Sequence, residues 1–260
     1  MKQTILSSQQ SILLESLIVK HGKVVTSEQI YTLGKGMWGQ QVMKNVVTRL
    51  TRNGWLIRVK RGLYAISDLS NRGFLSLSTY VVANLLVKDS YVSFESALAY
   101  HSLFDQLTNK TISIAQVQYK TVQLQSVEYS FVKVQNKWFF GWQEVSIDNM
   151  TVCIASAEKA LIDMIQFHKS KYTVDLVLEK LSQYKSSLDL QQMIEYLGKM
   201  SLTTMKIFGF LFDLLGIDSN NLYSQAKFKG THWMLSGDTK FNAKWRLYYD
   251  AYFDKYQSVK

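Results

Sequence analysis

The sequence predicts an α+β protein: an N-terminal winged helix-turn-helix followed by a mixed α+β C-terminal domain with an antiparallel sheet and a helical tail. Three observations predict it. Apolar residues recur at helical spacing through residues 8–52, and a β-forming hairpin follows at 55–66. The spacing then switches to alternation between 111 and 154. It returns to helical spacing from 156 to 216.

Taking the elements in order, Ser8–Lys20 places Ile12, Leu13, Leu17 and Ile18 along one helical face, and His21-Gly22 stops the helix. Thr26 with Gln29 three residues on has the spacing of a capping box, so a second helix starts there and ends at Gly34. The GKGMWG stretch is a turn. In QQVMKNVVTRLTRNG, Val42, Met43, Val46, Val47 and Leu50 occupy one arc of a third helix. The segment WLIRVKRGLYAI then carries β-formers on both sides of Lys60-Arg61-Gly62, a tight hairpin with a basic tip. Three helices followed by such a hairpin is the order of a winged helix-turn-helix.

The polar stretch Ser67–Gly73 marks the expected boundary, giving a DNA-binding domain at 1–72 and a C-terminal domain at 73–260. Phe74–Leu86 and Phe94–Phe104 read as helices, the second with Ser93 or Ser96 near its start. Alternation at Ile112, Ile114, Val122, Leu124, Tyr129, Phe131, Val145 and Ile147 indicates four or five antiparallel strands. Ser156 caps the next helix, with Glu158 in its first turn. Two further helical sets run Val174–Leu181 and Leu190–Leu197, and KIFGFLFDLLGI is apolar nearly all round, as a buried helix is.

Composition bounds the function. The chain of 260 residues is 47% hydrophobic and 19% charged, enough for a packed core in one large domain or two ordinary ones. No run of eighteen uncharged apolar residues exists, so no membrane partner is expected. The N-terminal apolar run holds Glu15 and lacks a small-residue cleavage pattern, so it reads as a helix of the fold rather than a signal peptide. The single cysteine, Cys153, excludes an internal disulfide framework and a cysteine zinc cluster. The expected setting is soluble and cytoplasmic. The chain has no proline, which removes one class of loop marker and implies no function.

The net charge of +10 is concentrated at one end. Residues 1–75 carry eleven Lys and Arg against Glu15, Glu28 and Asp68, while the remainder carries nineteen against seventeen. Five of the six arginines lie between Arg49 and Arg72. A basic head on a nearly neutral body points to a polyanion gripped at one end.

The third helix sharpens this. Gln41, Lys44, Asn45, Thr48 and Arg52 fall on the arc opposite its apolar face, with Gln40 and Arg49 at the edges, and none is acidic. Arg and Lys can read guanine, and Asn and Gln can read adenine, in the major groove. These seven are the candidate base-reading residues. Arg58, Lys60 and Arg61 at the hairpin are the candidate phosphate or minor-groove contacts. The expected partner is double-stranded DNA.

Catalytic chemistry finds little support. His21, His101, His168 and His232 share no ligand spacing, so neither a metal nor a cofactor is expected, and no phosphate-binding or nucleophile motif occurs. Asp148, Glu158 and Lys159 loosely resemble the acid-acid-lysine set of some nucleases, yet read better as cap and dipole residues. Cys153 reads as core, and Trp138, Phe139, Phe140 and Trp142 as an aromatic core strand rather than a base-stacking surface.

The segment RLTRNGWLIRVKRGLYAI resembles the signature of the AbiEi-like antitoxins of type IV toxin–antitoxin (abortive infection, phage defence) systems, in which a helix leads into a strand and an R-G-x-Y wing. Arg61, Gly62 and Tyr64 match that wing. YVSFESALAYHSL and ASAEKALIDMI are similar to two later family segments, and the last ninety or so residues align with nothing. The resemblance implies a transcriptional regulator that represses its own operon through the N-terminal domain, on inverted repeats in the promoter. It also implies a C-terminal domain that neutralises a nucleotidyltransferase toxin without a stable complex. The missing catalytic motifs lead to no expected enzymatic activity. Two other readings stay open: a ligand-responsive winged-helix repressor unrelated to a toxin, and a DNA-processing enzyme targeted by the head.

Overall fold

A computed structural model describes residues 5–106, 108–227 and 229–256. They divide into two compact units. The first holds the described residues up to Lys88 together with Gln123–Val127, and the second holds Asp89–Val122 and the described residues from Glu128 onward.

In the first unit, α1 (Ser8–His21) begins at a capping box in which Ser7 and Gln10 satisfy each other's backbone amides. Its inner face is Leu13, Leu14 and Leu17. The sequence assigned Ile12 and Ile18 to that face, but both point outward, Ile18 being 43% exposed. A three-residue strand, β1 (Val24–Thr26), follows unannounced by any periodicity. Thr26 and Gln29 form the expected box opening α2 (Ser27–Gly34). Helix α3 (Gln40–Arg52) buries Met43, Val46, Val47 and Leu50, whereas Val42 is half exposed.

β2 (Leu56–Lys60) and β3 (Leu63–Ile66) form an antiparallel hairpin, and β1 pairs on the free side of β3, giving the order β1-β3-β2. The two residues between Lys60 and Leu63 are Arg61 and Gly62. Gly62 has φ of 78°, a left-handed geometry that glycine adopts without strain. At the other end of the hairpin, Gly54 (φ 80°) lies so close to Gly73 that an added Cβ would sit 2.9 Å from its Cα.

The unit continues past Arg72, where the sequence placed the boundary. Ser78 caps α4 (Thr79–Leu86), a shorter helix than the predicted Phe74–Leu86, and α4 packs on β2. Helix α4 buries Val81, Val82, Ala83 and Leu86.

The second unit is built on a mixed sheet, not the antiparallel one expected. Its strands are β4 (Ser90–Val92), β5 (Lys110–Ala115), β7 (Val127–Lys133), β8 (Trp142–Ile147) and β9 (Met150–Ala155), in the order β7-β5-β4-β9-β8, while the short β6 (Val122–Leu124) falls mostly in the segment grouped with the first unit. Pairs β5/β7 and β4/β9 are parallel. Pairs β4/β5 and β8/β9 are antiparallel. Alternation alone reads side-chain period and not strand direction, so the parallel pairs were invisible to it. Strand β4, buried throughout, fell in what the sequence read as a gap between helices.

Helix α5 (Phe94–Tyr100) ends before the predicted Phe104. Ser156 caps α6 (Ala157–Phe167) as expected. Helices α7 (Lys171–Tyr184), α8 (Leu190–Gly198), α9 (Leu202–Leu214) and α10 (Asn220–Ala226) follow, α9 buried almost all round. Beyond them lies a third sheet that the sequence did not announce: β10 (His232–Trp233), β11 (Lys240–Asn242) and β12 (Leu247–Tyr249), ordered β10-β12-β11. Among the described residues no helix is long and apolar enough to cross a membrane.

Candidate nucleic-acid interface

Helix α3 has a dry face and a wet one. Met43, Val46, Val47 and Leu50 join Leu13, Leu17, Val25, Ile30 and Trp55 in the core of the first unit. That burial fixes the rotation of the helix, so the residues between them must face outward. Gln40, Gln41, Lys44, Asn45, Thr48, Arg49 and Arg52 are all exposed, as the sequence required. No acidic residue interrupts them, and among the described residues no ion pair involves Lys44, Arg49 or Arg52. Thr48 is the exception in part: its hydroxyl donates to the Lys44 carbonyl at 2.9 Å and keeps only acceptor capacity for an outside group.

The N-terminus of α3 is open. Its cap residue is Gly39, which has no side chain to accept from the first-turn amides, and no carboxylate stands in that turn. An unsatisfied helix start of this kind suits a phosphate oxygen. A cleft of about 580 Å³ lies beside it, walled by Glu28, Tyr31, Lys35, Trp38, Gln40 and Lys44 among others.

The hairpin contributes Arg58 and Arg61, both exposed. Arg58 lies on β2, an edge strand of the sheet, and Arg61 at the tip. Lys60 is placed differently from its neighbours. The register of β2 shifts between Arg58 and Lys60, Val59 turns into the core, and Lys60 is half-buried. Its ammonium donates to the Leu86 carbonyl, the last residue of α4, at 3.1 Å. A cation on the orphan acceptor of a helix C-terminus is a favourable arrangement. Lys60 therefore ties the hairpin to α4 and is not free at the tip. The tip itself is anchored, because the Ser27 amide donates to the Gly62 carbonyl at 2.8 Å.

In the second unit, the chemistry-bearing residues of the sequence do not assemble into a reaction centre. Asp148 lies in the two-residue β8–β9 turn with φ of 54°, followed by Asn149 at 59°. Six-residue β9 separates that turn from α6, a span of roughly 20 Å at strand rise. Glu158 is buried and accepts from the Asp189 amide at 2.9 Å. Lys159, read from the sequence as a dipole residue, is fully buried and ion-paired to Asp163 one turn later. Tyr91 and Ser93 donate to the same carboxylate at 3.3 and 2.7 Å. Burial pushes the Asp163 carboxyl up and the Lys159 ammonium down, each against the pull of its partner.

The aromatic stretch is not a core strand. Asn136–Trp138 form a single 3₁₀ turn, Trp142 is exposed, and the Phe140 ring lies 4.8 Å from the Lys159 ammonium. Cys153 is half-buried on β9 rather than core, and burial together with the Glu144 carboxylate pushes its thiol pKa up. A raised thiol pKa lowers the thiolate fraction and works against nucleophilic use.

Comparison with known proteins fits this division. Residues 13–67 match the family described as AbiEi antitoxin transcriptional regulators, which bears out the resemblance over that segment. The match contains α3 and both candidate hairpin arginines; the two later segments lie outside it. No curated protein matches the sequence. The fold is similar to the crystal structure of the RV2827C protein from Mycobacterium tuberculosis, with a TM-score of 0.66 at 13% identity over 95% of this chain and 92% of that one.

Proposed function

We propose that the protein is a DNA-binding antitoxin of a type IV toxin–antitoxin system, with no catalysis of its own. In this reading the first unit is a winged helix-turn-helix that represses the protein's own operon by binding inverted repeats in the promoter. Helix α3 enters the major groove and reads base edges through Gln40, Gln41, Lys44, Asn45, Thr48, Arg49 and Arg52. Arg58 and Arg61 meet the flanking backbone or the adjacent minor groove. The second unit neutralises a nucleotidyltransferase toxin without a stable complex.

The observation that carries the DNA-binding half is the outward face of α3: seven polar or cationic side chains, all exposed and uninterrupted by an acid, on a helix whose other face is locked into the core. The order of elements, with β3 central in β1-β3-β2, supports the winged form. The match over residues 13–67 supports the antitoxin class.

Fluorescence anisotropy on the gene's own upstream DNA, with scrambled competitor across a salt series, tests the regulatory half. Binding that survives competitor is expected; binding abolished by it would reduce the first unit to a basic surface. Rescue of cells expressing a neighbouring nucleotidyltransferase tests the antitoxin half, and absence of rescue by the full chain would sink it.

A further inference from the structure

The tail sheet of the second unit carries an aromatic row. Trp233 on β10 and Phe241 on β11 both stand in register with Tyr248 on β12. Residues in one register share a face, so the three rings line up across all three strands. The Trp233 and Tyr248 rings stack at 5.1 Å with 12° between their planes, and Phe241 leans on Tyr248 at 5.0 Å. The row is not core. Trp233 is 51% and Phe241 46% exposed, whereas Leu247 and Tyr249, on the opposite face, are buried. Tyr248 covers one face of the indole, and β10 is an edge strand, so no further strand of this sheet covers the other.

The same strands carry cations without counter-charges. The His232 amide donates to the Arg246 carbonyl at 3.0 Å, which sets these two residues side by side, one before Trp233 and two before Tyr248. Arg246 is exposed, as is Lys169 between α6 and α7. Lys206 on α9 is buried, and its ammonium donates to the Lys229 and Gly230 carbonyls, the second at 2.6 Å. Among the described residues, no ion pair involves Lys169, Lys206 or Arg246. The neighbouring carboxylates are engaged: Asp213 with Lys244, Asp250 with Lys171 and Asp254 with Lys240. Asp238, whose field Lys169 feels, accepts from the Leu235 amide. Burial and then the Arg246 charge hold the Lys206 ammonium low, and burial followed by Lys206 and Lys169 holds His232 low. Basic groups that repel one another at close quarters draw in an anion.

An open ring stack beside unpaired cations is complementary to a ligand that repeats a flat base and a phosphate. We infer that the tail sheet binds single-stranded nucleic acid, one base continuing the Tyr248–Trp233 stack while adjacent phosphates meet Arg246 and Lys169. A row this exposed suits an extended strand, whereas a free nucleotide calls for a concave site. The rings address the base and the cations address the phosphate, so the sugar is not read and RNA and DNA strands bind alike. The site uses no residue of the first unit and does not rest on the DNA-binding reading of α3.

The test uses the full chain and single strands of about fifteen nucleotides, one of deoxythymidine and one of uridine, followed by anisotropy and by tryptophan quenching. Saturable binding with quenching is expected, the two strands agreeing within about threefold. Trp233→Ala should weaken both about tenfold, as loss of one base–ring stack does. Trp233→Phe keeps a ring and should stay within about threefold of wild type while losing most of the quenching. Arg246→Gln should lower the salt slope by about 0.7. Circular dichroism and thermal unfolding confirm that each variant folds. Unchanged affinity in Trp233→Ala, or unchanged quenching in Trp233→Phe, would overturn the inference. So would sedimentation showing a dimer that Trp233→Ala dissociates, because the row would then cover a second copy of the chain. Helix α3 separates the two readings: Arg52→Ala, expected to weaken promoter duplex, should leave quenching by the single strands intact. Failure on duplex leaves the single-strand result standing, and failure on single strands leaves the duplex result standing.

Discussion

Lys159 and Asp163 form an ion pair with no solvent exposure on either side chain, one helical turn apart on α6. The carboxylate also accepts from Tyr91 on β4 and from Ser93 at the start of α5, so both segments converge with α6 on one buried ion pair. Removing one partner leaves the other uncompensated. Lys159→Ala should cost about 3–5 kcal/mol of stability by denaturant unfolding. The double variant Lys159→Met with Asp163→Leu should recover at least half of that loss. A double variant as unstable as the single one would show that the pair stabilises through packing and not charge.

On DNA, α3 and the hairpin should separate by the kind of loss they cause. Lys44→Ala and Arg52→Ala should each cost on the order of 1–3 kcal/mol, unequally across operator variants. Arg58→Ala and Arg61→Ala should weaken all sequences alike and lower the salt slope by about one each. Uniform losses for Lys44 and Arg52 would make α3 a clamp without sequence readout.

Lys60 should behave unlike its arginine neighbours. Its ammonium is held by the Leu86 carbonyl. Lys60→Met should leave the salt slope within error of wild type while lowering stability by about 1–2 kcal/mol, as expected for a charge-assisted hydrogen bond. A salt slope reduced as much as in Arg61→Ala would return Lys60 to the DNA surface.

His232 gives a pH dependence whose sign follows from its surroundings. Burial first, then the Lys206 and Lys169 charges, hold its imidazole below the ordinary 6.5. Its Nδ1 lies 2.7 Å from the Thr203 hydroxyl oxygen. The fold prefers the neutral ring, so the contribution is complete above 6.5 and is lost as pH falls through the folded value. The melting temperature should therefore be lower at pH 5.0 than at pH 7.5. His232→Gln should shrink that difference; an unchanged difference would assign it to other groups, such as His168, which burial also holds low.

Gly209 stands where α9 meets Trp245. A Cβ at this position would lie 2.1 Å from the indole ring, which is buried and donates to Asp213 at 2.7 Å. Gly209→Ala gains helix propensity, yet the ring cannot retreat without breaking that bond. A net loss of about 1–3 kcal/mol is expected from overpacking. A neutral or stabilised variant would show that the tail sheet carrying Trp245 shifts freely.

Much of the candidate interface was legible from residues alone. The apolar arc of α3 is narrow, so its complement could be named, and all seven positions are exposed. Helix α1 was harder, since Ile12, Leu13, Leu14, Leu17, Ile18 and Val19 spread over most of the wheel. Only tertiary packing selects Leu13, Leu14 and Leu17 and leaves Ile12, Ile18 and Val19 outside. Strands β1 and β4 have three residues each, too few for a period to register. Lys60 and Lys159 looked like surface charges because a sequence reports charge and not the acceptor waiting in the fold. The tail sheet went unread because its strands of two and three residues carry no alternation to count.

The bond from Ser27 to Gly62 has a consequence for the tempo of recognition. With its tip bonded to the start of α2 and β3 paired with β1, the hairpin that carries Arg61 is held to the helical part of the unit at both ends. On the proposed DNA-binding reading, a duplex meets a surface already set, and docking spends little conformational freedom on ordering the hairpin. Stopped-flow mixing should then show a single concentration-dependent phase, governed by electrostatic encounter, with no slower rearrangement behind it.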